Sequence, residues 1–337
     1  MSSEHLVYFL ILLLLKLYEL EAIDLNKETL LQFYPNAPTT NYIDLSSKNI
    51  STIDNATFAG LTRLKTLFLN NNKLTAINGV FNDLSALTLL NLAANHLTSI
   101  SSNQFSGLNS LFSLDVSSNQ INDIKTNAFM GLGRLESLNL NENRLARLNS
   151  SMLNGLSELK ELYLENNQLA TLDGLTFRNL NKLVSLDLDN NQLTFLDPNL
   201  FSTLTSLNYL RLNNNQLTSI DPNLFRSNVN LLDLYLSLNK IAGIEMETFS
   251  GLARLKSLYL SGNCILVVRY GAFDGMGSLE DLVLNENRLI SINRSVLVGL
   301  ASLRNVYLGN NPITVLQQSL VLGLCSPNTN PFCVIFL

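Results

Sequence analysis

One asparagine recurs along almost the whole of this chain at a fixed interval, and an interval of that length decides the architecture before any other pattern is consulted. It stands at Asn72, Asn95, Asn119, Asn143, Asn167, Asn191, Asn215, Asn239, Asn263, Asn287 and Asn311. The first step is 23 residues and the other nine are 24, and each asparagine closes an LxxLxLxxN pattern or a close variant of it. Upstream, YIDLSSKNI reads as a twelfth unit with Lys48 in the asparagine's place. A unit this short cannot bury its own apolar face, so each must lean on its neighbours in a solenoid.

A full unit begins at Leu64 with LKTLFLNNNKLTAINGVFNDL. Leu67, Phe68 and Leu69 alternate with period two, which predicts a short strand with both leucines inward and Phe68 on the opposite face. Asn72 marks the turn that follows. Its amide can satisfy backbone groups that the turn would otherwise bury unpaired, so stacked units are expected to align a structural asparagine ladder. A large apolar residue returns nine or ten positions after the asparagine: Phe81, Phe105, Phe129, Phe177, Phe201, Phe225, Phe249 and Phe273. Leu153 and Leu297 fill that slot in their units and Phe58 fills it in the first. A column of stacked rings is the expected back wall of the core.

These residues resemble the 24-residue class of extracellular leucine-rich repeats, found in Toll-like receptor ectodomains, Slit-like proteins, variable lymphocyte receptors and neuronal adhesion receptors. The resemblance runs from about Pro35 to Leu324. It implies an α/β-type solenoid of about twelve repeats, a right-handed horseshoe whose parallel β-sheet lines the concave side. Twelve strands at sheet spacing span roughly 55–60 Å. The family's N-terminal cap usually carries a cysteine cluster. Here PNAPTTNYIDLS resembles the end of such a cap without the cysteines, and Leu25, Leu30, Leu31 and Phe33 are left to cover the core. The family's C-terminal cap often opens with Asn-Pro-Phe/Trp and carries four cysteines. Asn330, Pro331, Phe332 and Cys333 resemble its opening, and the cap reads as abbreviated or truncated. The organisation expected is a signal peptide over 1–22, an N-terminal cap over 23–41, the solenoid over 42–324 and a short cap over 325–337.

The signal peptide rests on the apolar run Leu6 to Leu15, half the length a bilayer-spanning helix needs, with cleavage expected after Ala22. The residues before the run include Glu4 and no Lys or Arg, and Leu20-Glu21-Ala22 fits a small-x-small site only loosely. A capping helix and a signal-anchor are the other readings of this segment. Asn-x-Ser/Thr sequons at Asn49, Asn55, Asn149 and Asn293 become glycosylation sites if the chain enters the secretory pathway. Of three cysteines, Cys325 and Cys333 lie close enough in sequence to pair, which leaves Cys264 single. Two histidines, His5 and His96, and scattered thiols make no metal-ligand cluster, and no cofactor is expected.

Function belongs at the positions that packing does not explain. The middle residue of each expected strand forms one column: Asp44, Phe68, Asn91, Asp115, Asn139, Tyr163, Asp187, Arg211, Tyr235, Tyr259, Val283 and Tyr307. Neighbouring columns add Glu161, Glu165, Asp189, Tyr209, Asp233 and Asp281. Tyrosines beside carboxylates suit protein recognition, because tyrosine offers large contact area with few rotatable bonds and acidic neighbours draw a basic partner. The competing account is that tyrosine forms strands well and carboxylates keep an open sheet soluble. Tyr163, Asp187, Arg211, Tyr235 and Tyr259 are expected near the centre of a binding patch, with Tyr209, Asp233 and Tyr307 beside them.

The formal net charge of −5, without a basic cluster, argues against a nucleic-acid partner. An enzyme is not expected. His96 sits in an ordinary turn slot, no nucleophile–base–orienter set assembles around it, and concave carboxylates on a wet surface would lack the desolvation that tunes a general acid. The reading is an extracellular binding protein that takes a protein or glycan ligand on its concave sheet. The alternatives are an ectodomain fragment of a leucine-rich-repeat receptor and a structural matrix protein that self-associates.

Overall fold

Three residues per repeat are extended, and they suffice because each strand is paired on both sides. In the strand Thr66–Phe68, Leu67 is fully buried while Thr66 and Phe68 stand half-buried on the other face. The computed structural model describes residues 22–314 and 334–336, and it is a parallel β-solenoid of about 12 turns. Its main sheet runs in strict chain order from Tyr42–Asp44 to Asn305–Tyr307, and Val334–Phe336 adds a thirteenth strand at the end. Because the steps are nearly uniform, each slot falls opposite itself: Leu162 pairs with Leu138 and Leu186, and Tyr163 with Asn139 and Asp187. The columns read from the sequence are therefore physical columns.

That thirteenth strand lies in a segment read from sequence only as a short cap. Val334, Ile335 and Phe336 stand opposite Asn305, Val306 and Tyr307, an offset of 29 residues. The signal was present, since Phe332, Ile335 and Leu337 keep the LxxLxL spacing, but the step departs from 24 and hides it.

Opposite the main sheet the chain is carried by turns. Among the described residues the helical segments are Lys27–Phe33 and a short 3-10 turn, Arg294–Leu297. Short parallel pairings, such as Ser99–Ile100 with Asp123–Ile124 and Gly243–Ile244 with Val267–Val268, add a partial second sheet. Behind the leucines runs the ring column. Phe201, Phe225, Phe249 and Phe273 stack face to face with centroids 6.2, 6.2 and 6.0 Å apart, each ring at most 1% exposed. Phe58 with Phe81 and Phe105 with Phe129 form separate stacks, and Leu153 interrupts the column between Phe129 and Phe177.

The asparagines hold consecutive coils together. Asn191 donates through Nδ2 to the carbonyls of Leu164 in the coil before and Leu188 in its own coil, and its Oδ1 accepts from the Leu169 amide. The other ladder asparagines repeat this pattern; Asn72, whose coil follows the Lys48 unit, accepts from both Lys48 and Ile50. The residue before the asparagine takes a left-handed backbone, with φ of 57° at Asn71, 54° at Asn190 and 57° at Leu238. Asparagine enters that region at lower cost than leucine, which is why several units read Asn-Asn at the turn.

At the N-terminal end the cap is helical. Asn26 accepts from the Thr29 amide at 2.9 Å and starts Lys27–Phe33, while Ile23–Leu25 pairs with Ile50–Ile53. Leu25 and Leu30 are buried against the first coil. Leu31 and Phe33, expected to share that task, are 36% and 38% exposed, because a seven-residue helix turns only one face to the core. Tyr34 completes the seal: its hydroxyl donates to the Asp44 carbonyl and accepts from the Asp44 amide, at 2.7 and 3.0 Å.

Candidate functional site

The middle column divides into two halves of different chemistry. In its first half the short polar side chains are turned back onto the backbone. The Oδ1 atoms of Asp44, Asn91, Asp115 and Asn139 accept from the amides of Ser46, Ala93, Ser117 and Asn141, two residues on, at 2.9–3.0 Å. These groups shape the sheet's exit and are already engaged. Asp187 makes the same bond to the Asp189 amide, and it is the last in the column to do so.

Beyond Asp187 the column stands off the sheet. Arg211 lies between Asp187 and Tyr235, its Nε 4.0 Å from Asp187 Oδ2 and its Cζ 4.7 Å from the centre of the Tyr235 ring. Tyr235 stacks on Tyr259 at 4.6 Å with the planes 4° apart. Val283 follows, and then Tyr307 stacks on Phe336 at 4.5 Å and 6°. Adjacent parallel strands fix these separations, so the stacking is dictated by register. Tyr163, Asp187, Arg211, Tyr235 and Tyr259 thus occupy five consecutive strands. Tyr209 and Asp233 flank them in the next column, Tyr209 41% exposed and Asp233 half-buried, whereas Tyr307 lies apart beyond Val283.

One expectation about the carboxylates needs correction: those on the concave face are not uniformly wet. Asp187 is only 8% exposed. Burial pushes Asp187 up to about 6, opposed by the Asp189 amide and aided by the neighbouring charges of Asp189 and Glu165; burial also raises Asp189, against the Asn213 donors. Coils packed on both sides and the side chains of Tyr163 and Arg211 remove the water that the open sheet was expected to supply. Burial likewise raises the phenols of Tyr163 and Tyr235.

The shifted Asp187 yields a stability prediction. Its folded pKa lies above the unfolded value, so the fold opposes the ionised form. That penalty is absent below about pH 4, grows as pH rises toward 6 and is complete above it. Asp187→Asn keeps the acceptor for the Asp189 amide and removes the charge. Allowing for the lost Arg211 contact, the variant is expected to be more stable by about 1 kcal/mol at pH 7.5 and to match the parent near pH 4. Urea midpoints at the two pH values measure this, and equal midpoints at pH 7.5 would refute it.

Other singled-out residues lie away from this column. Asn55 and Asn293 are exposed, while Asn49 and Asn149 are half-buried. Asn149 accepts from the Ser151 amide and hydroxyl, and Asn293 caps the short 3-10 turn through the Ser295 amide. His96 is exposed and Cys264 half-buried, each with its amide bonded to the preceding coil, at Leu74 and Ile241. Asn228, which drew no attention in the sequence, is fully buried in a leucine slot and donates to the Phe201 and Leu204 carbonyls, both at 3.0 Å. Its place in SNVN, where other units read glycine-leucine, was the available signal. Among the described residues no cluster of His, Cys, Asp and Glu forms a metal site, and no helix is long and apolar enough to cross a membrane. The apolar run Leu6–Leu15 and the pair Cys325 and Cys333 lie outside the described residues.

Comparison with known proteins follows the repeats. The leucine rich repeat family model matches residues 38–97, 78–121, 87–145, 113–169, 157–217, 205–265 and 255–313. Among curated protein sequences nothing matches. A solved structure of a TLR13–ssRNA13 complex is 31% identical with a TM-score of 0.83, over 92% of this chain and 45% of that one. This chain therefore spans less than half the length of that relative. A leucine-rich-repeat protein of Leptospira interrogans is 25% identical with a TM-score of 0.69, over 86% of this chain and 76% of that one. A chain of the LRIM1/APL1C complex is 25% identical with a TM-score of 0.73, over 87% of this chain and 52% of that one.

Proposed function

Since this chain belongs to the leucine-rich-repeat family, we propose that it is an extracellular recognition protein that binds a protein partner on its concave sheet, through Arg211, Tyr235 and Tyr259 with Tyr163, Tyr209 and Asp233 around them. The observation that carries this is the change in the middle column after Asp187. Up to there the short Asp and Asn side chains are spent on the backbone; beyond it Arg211, Tyr235 and Tyr259 stack on one another. Aromatic rings and arginine held rigid before contact lose little entropy on binding, which is what a central anchor of an interface requires.

Charge selects the class of partner. The three concave columns carry eight carboxylates, at Asp44, Asp115, Glu161, Glu165, Asp187, Asp189, Asp233 and Asp281, against Arg211 as the one cation. A surface of that sign repels a phosphate backbone and speeds the approach of a basic protein. The TLR13 relative was solved with ssRNA13 and the LRIM1/APL1C relative as a protein assembly; the columns favour the second kind of partner here. The extracellular setting is supported by the apolar N-terminal run and by exposed sequons at Asn55 and Asn293. Catalysis forms no part of the proposal, because Asp187 and Asp189, the desolvated carboxylates, are both occupied by backbone amides.

The test is capture from extracellular extract by the parent chain and by a Tyr235→Ala, Tyr259→Ala double variant, followed by affinity measurement on what is retained. The double variant is expected to bind at least about 30-fold more weakly, since two central rings are worth about 2 kcal/mol or more. Equal affinity would place the binding surface elsewhere. Capture of the chain by itself alone would favour the self-associating structural role. In the same preparation, secreted protein is expected to lose mass on deglycosylation, and an unchanged mass would count against the secretory route.

A further inference from the structure

The ring ladder of the concave face has one vacancy. Tyr235 and Tyr259 are stacked at 4.6 Å and Tyr307 and Phe336 at 4.5 Å, and between the two pairs lies a single strand whose middle residue is Val283. Valine ends at its Cγ atoms, far short of the rings on either side. Tyr259 and Tyr307 are separated by two strand spacings, about 9.6 Å. A flat group placed over Val283 would lie about 5 Å from the centre of each ring, inside the ~6 Å reach of a cation–π contact.

The walls of the vacancy are polar and acidic. Asp281 and Asn285 sit two residues before and after Val283, on the same face of the chain. Asn305 Nδ2 donates to Asp281 Oδ1 at 2.6 Å, which holds that carboxylate in place beside the gap. Asn285 Oδ1 is buried and so is closed to an incoming group, which leaves Asp281 as the acceptor at the gap. The molecule shows what fills such a slot elsewhere in the same column, where the Arg211 guanidinium lies one strand from Tyr235, 4.7 Å over its ring and beside the carboxylate of Asp187. A planar cation between a ring and a carboxylate is thus already part of this surface.

The geometry points to a specific subsite: the gap over Val283, between Tyr259 and Tyr307, receives an arginine side chain of a protein partner. The guanidinium stacks between the two rings and donates to Asp281, with its remaining N–H groups left to water. This rests on the concave-face reading above and sharpens it by naming the group recognised. Arginine fits better than lysine because a planar ion can face both rings at once, whereas an ammonium cannot stack.

The probe is N-acetyl-arginine methylamide, titrated into the full chain while the ring resonances of Tyr259 and Tyr307 are followed by NMR, with the citrulline analogue as the uncharged control of equal shape. Saturable shifts of both rings are expected with the arginine probe. The citrulline control is expected to bind at least tenfold more weakly. Val283→Tyr, which completes the ladder with a residue the neighbouring strands already carry, should abolish the shifts. Asp281→Asn, which keeps the shape of the site, should weaken binding several-fold. Equal binding of arginine and citrulline, or unchanged binding by Val283→Tyr, would overturn the subsite. The broader reading has its own readout: if Val283→Tyr retains the captured protein at parent affinity while the Tyr235/Tyr259 variant loses it, the subsite is wrong and the concave face stands.

Discussion

Phe225→Ala is expected to cost about 3–5 kcal/mol, more than any substitution on the concave face. Phe225 is fully buried and stacks at 6.2 Å on Phe201 and again on Phe249, so its removal opens a cavity bounded by two rings that belong to other coils. Those rings cannot collapse into the space, because each is tied to its own coil's register in the sheet. The loss should therefore be local before it is global. Repeat arrays hold together through nearest-neighbour contacts, and a broken one divides the solenoid into two less cooperative pieces. Hydrogen exchange should show amides of the coils around residues 201–249 opening early, and the urea transition should broaden. Phe112→Ala provides the contrast: that ring is 50% exposed, and the change is expected to shift stability by less than 1 kcal/mol. Similar losses in the two variants would mean that the ring column is not the wall of the core.

Asn191→Ala is expected to cost about 1–3 kcal/mol without removing any apolar contact of consequence. The amide of Asn191 bonds the carbonyls of Leu164, Leu188 and Asp189 at 2.9, 3.2 and 3.1 Å, and its oxygen takes the Leu169 amide at 3.0 Å. Alanine leaves backbone groups of two successive coils buried, where water reaches them poorly. Asparagine is matched to this place because it offers two donors and an acceptor on one short, stiff side chain; aspartate has no donor, and glutamine is a methylene too long. Asn191→Asp should therefore destabilise at least as much as alanine at pH 7 despite equal size. Thermal melting of Asn191→Ala and Asn191→Asp beside the parent checks both expectations, and unchanged melting of either would contradict the ladder's role.

How much of this was legible in advance varied with the kind of information required. The inward leucines, the ring column and the concave residues follow from a 24-residue period, since a solenoid of uniform steps sets each slot against itself. The thirteenth strand was harder to see because its step of 29 residues breaks the period while its LxxLxL spacing keeps it. The N-terminal cap was half legible: apolar residues were evident, but which of Leu25, Leu30, Leu31 and Phe33 turn inward depended on a short helix and on the Tyr34 hydroxyl. Asn228 went unnoticed because one asparagine among many carries no signal unless its slot is known to be apolar.

The chain's sequence, taken alone, determined the architecture, the columns and the ladder, because these depend on period and on which residues alternate. The tertiary structure decided what each exposed residue is free to do. Asp115 and Asp187 look alike in LDVSSN and LDLDNN, and each bonds the amide two residues on; yet neighbours in other coils bury Asp187, raise its pKa and set Arg211 beside it. The vacancy over Val283 likewise exists only because Tyr259 and Tyr307, 48 residues apart in the chain, stand on either side of one strand. Periodicity is a property of one chain read in order, whereas burial, stacking and electrostatic environment are properties of what the stacking of coils brings near.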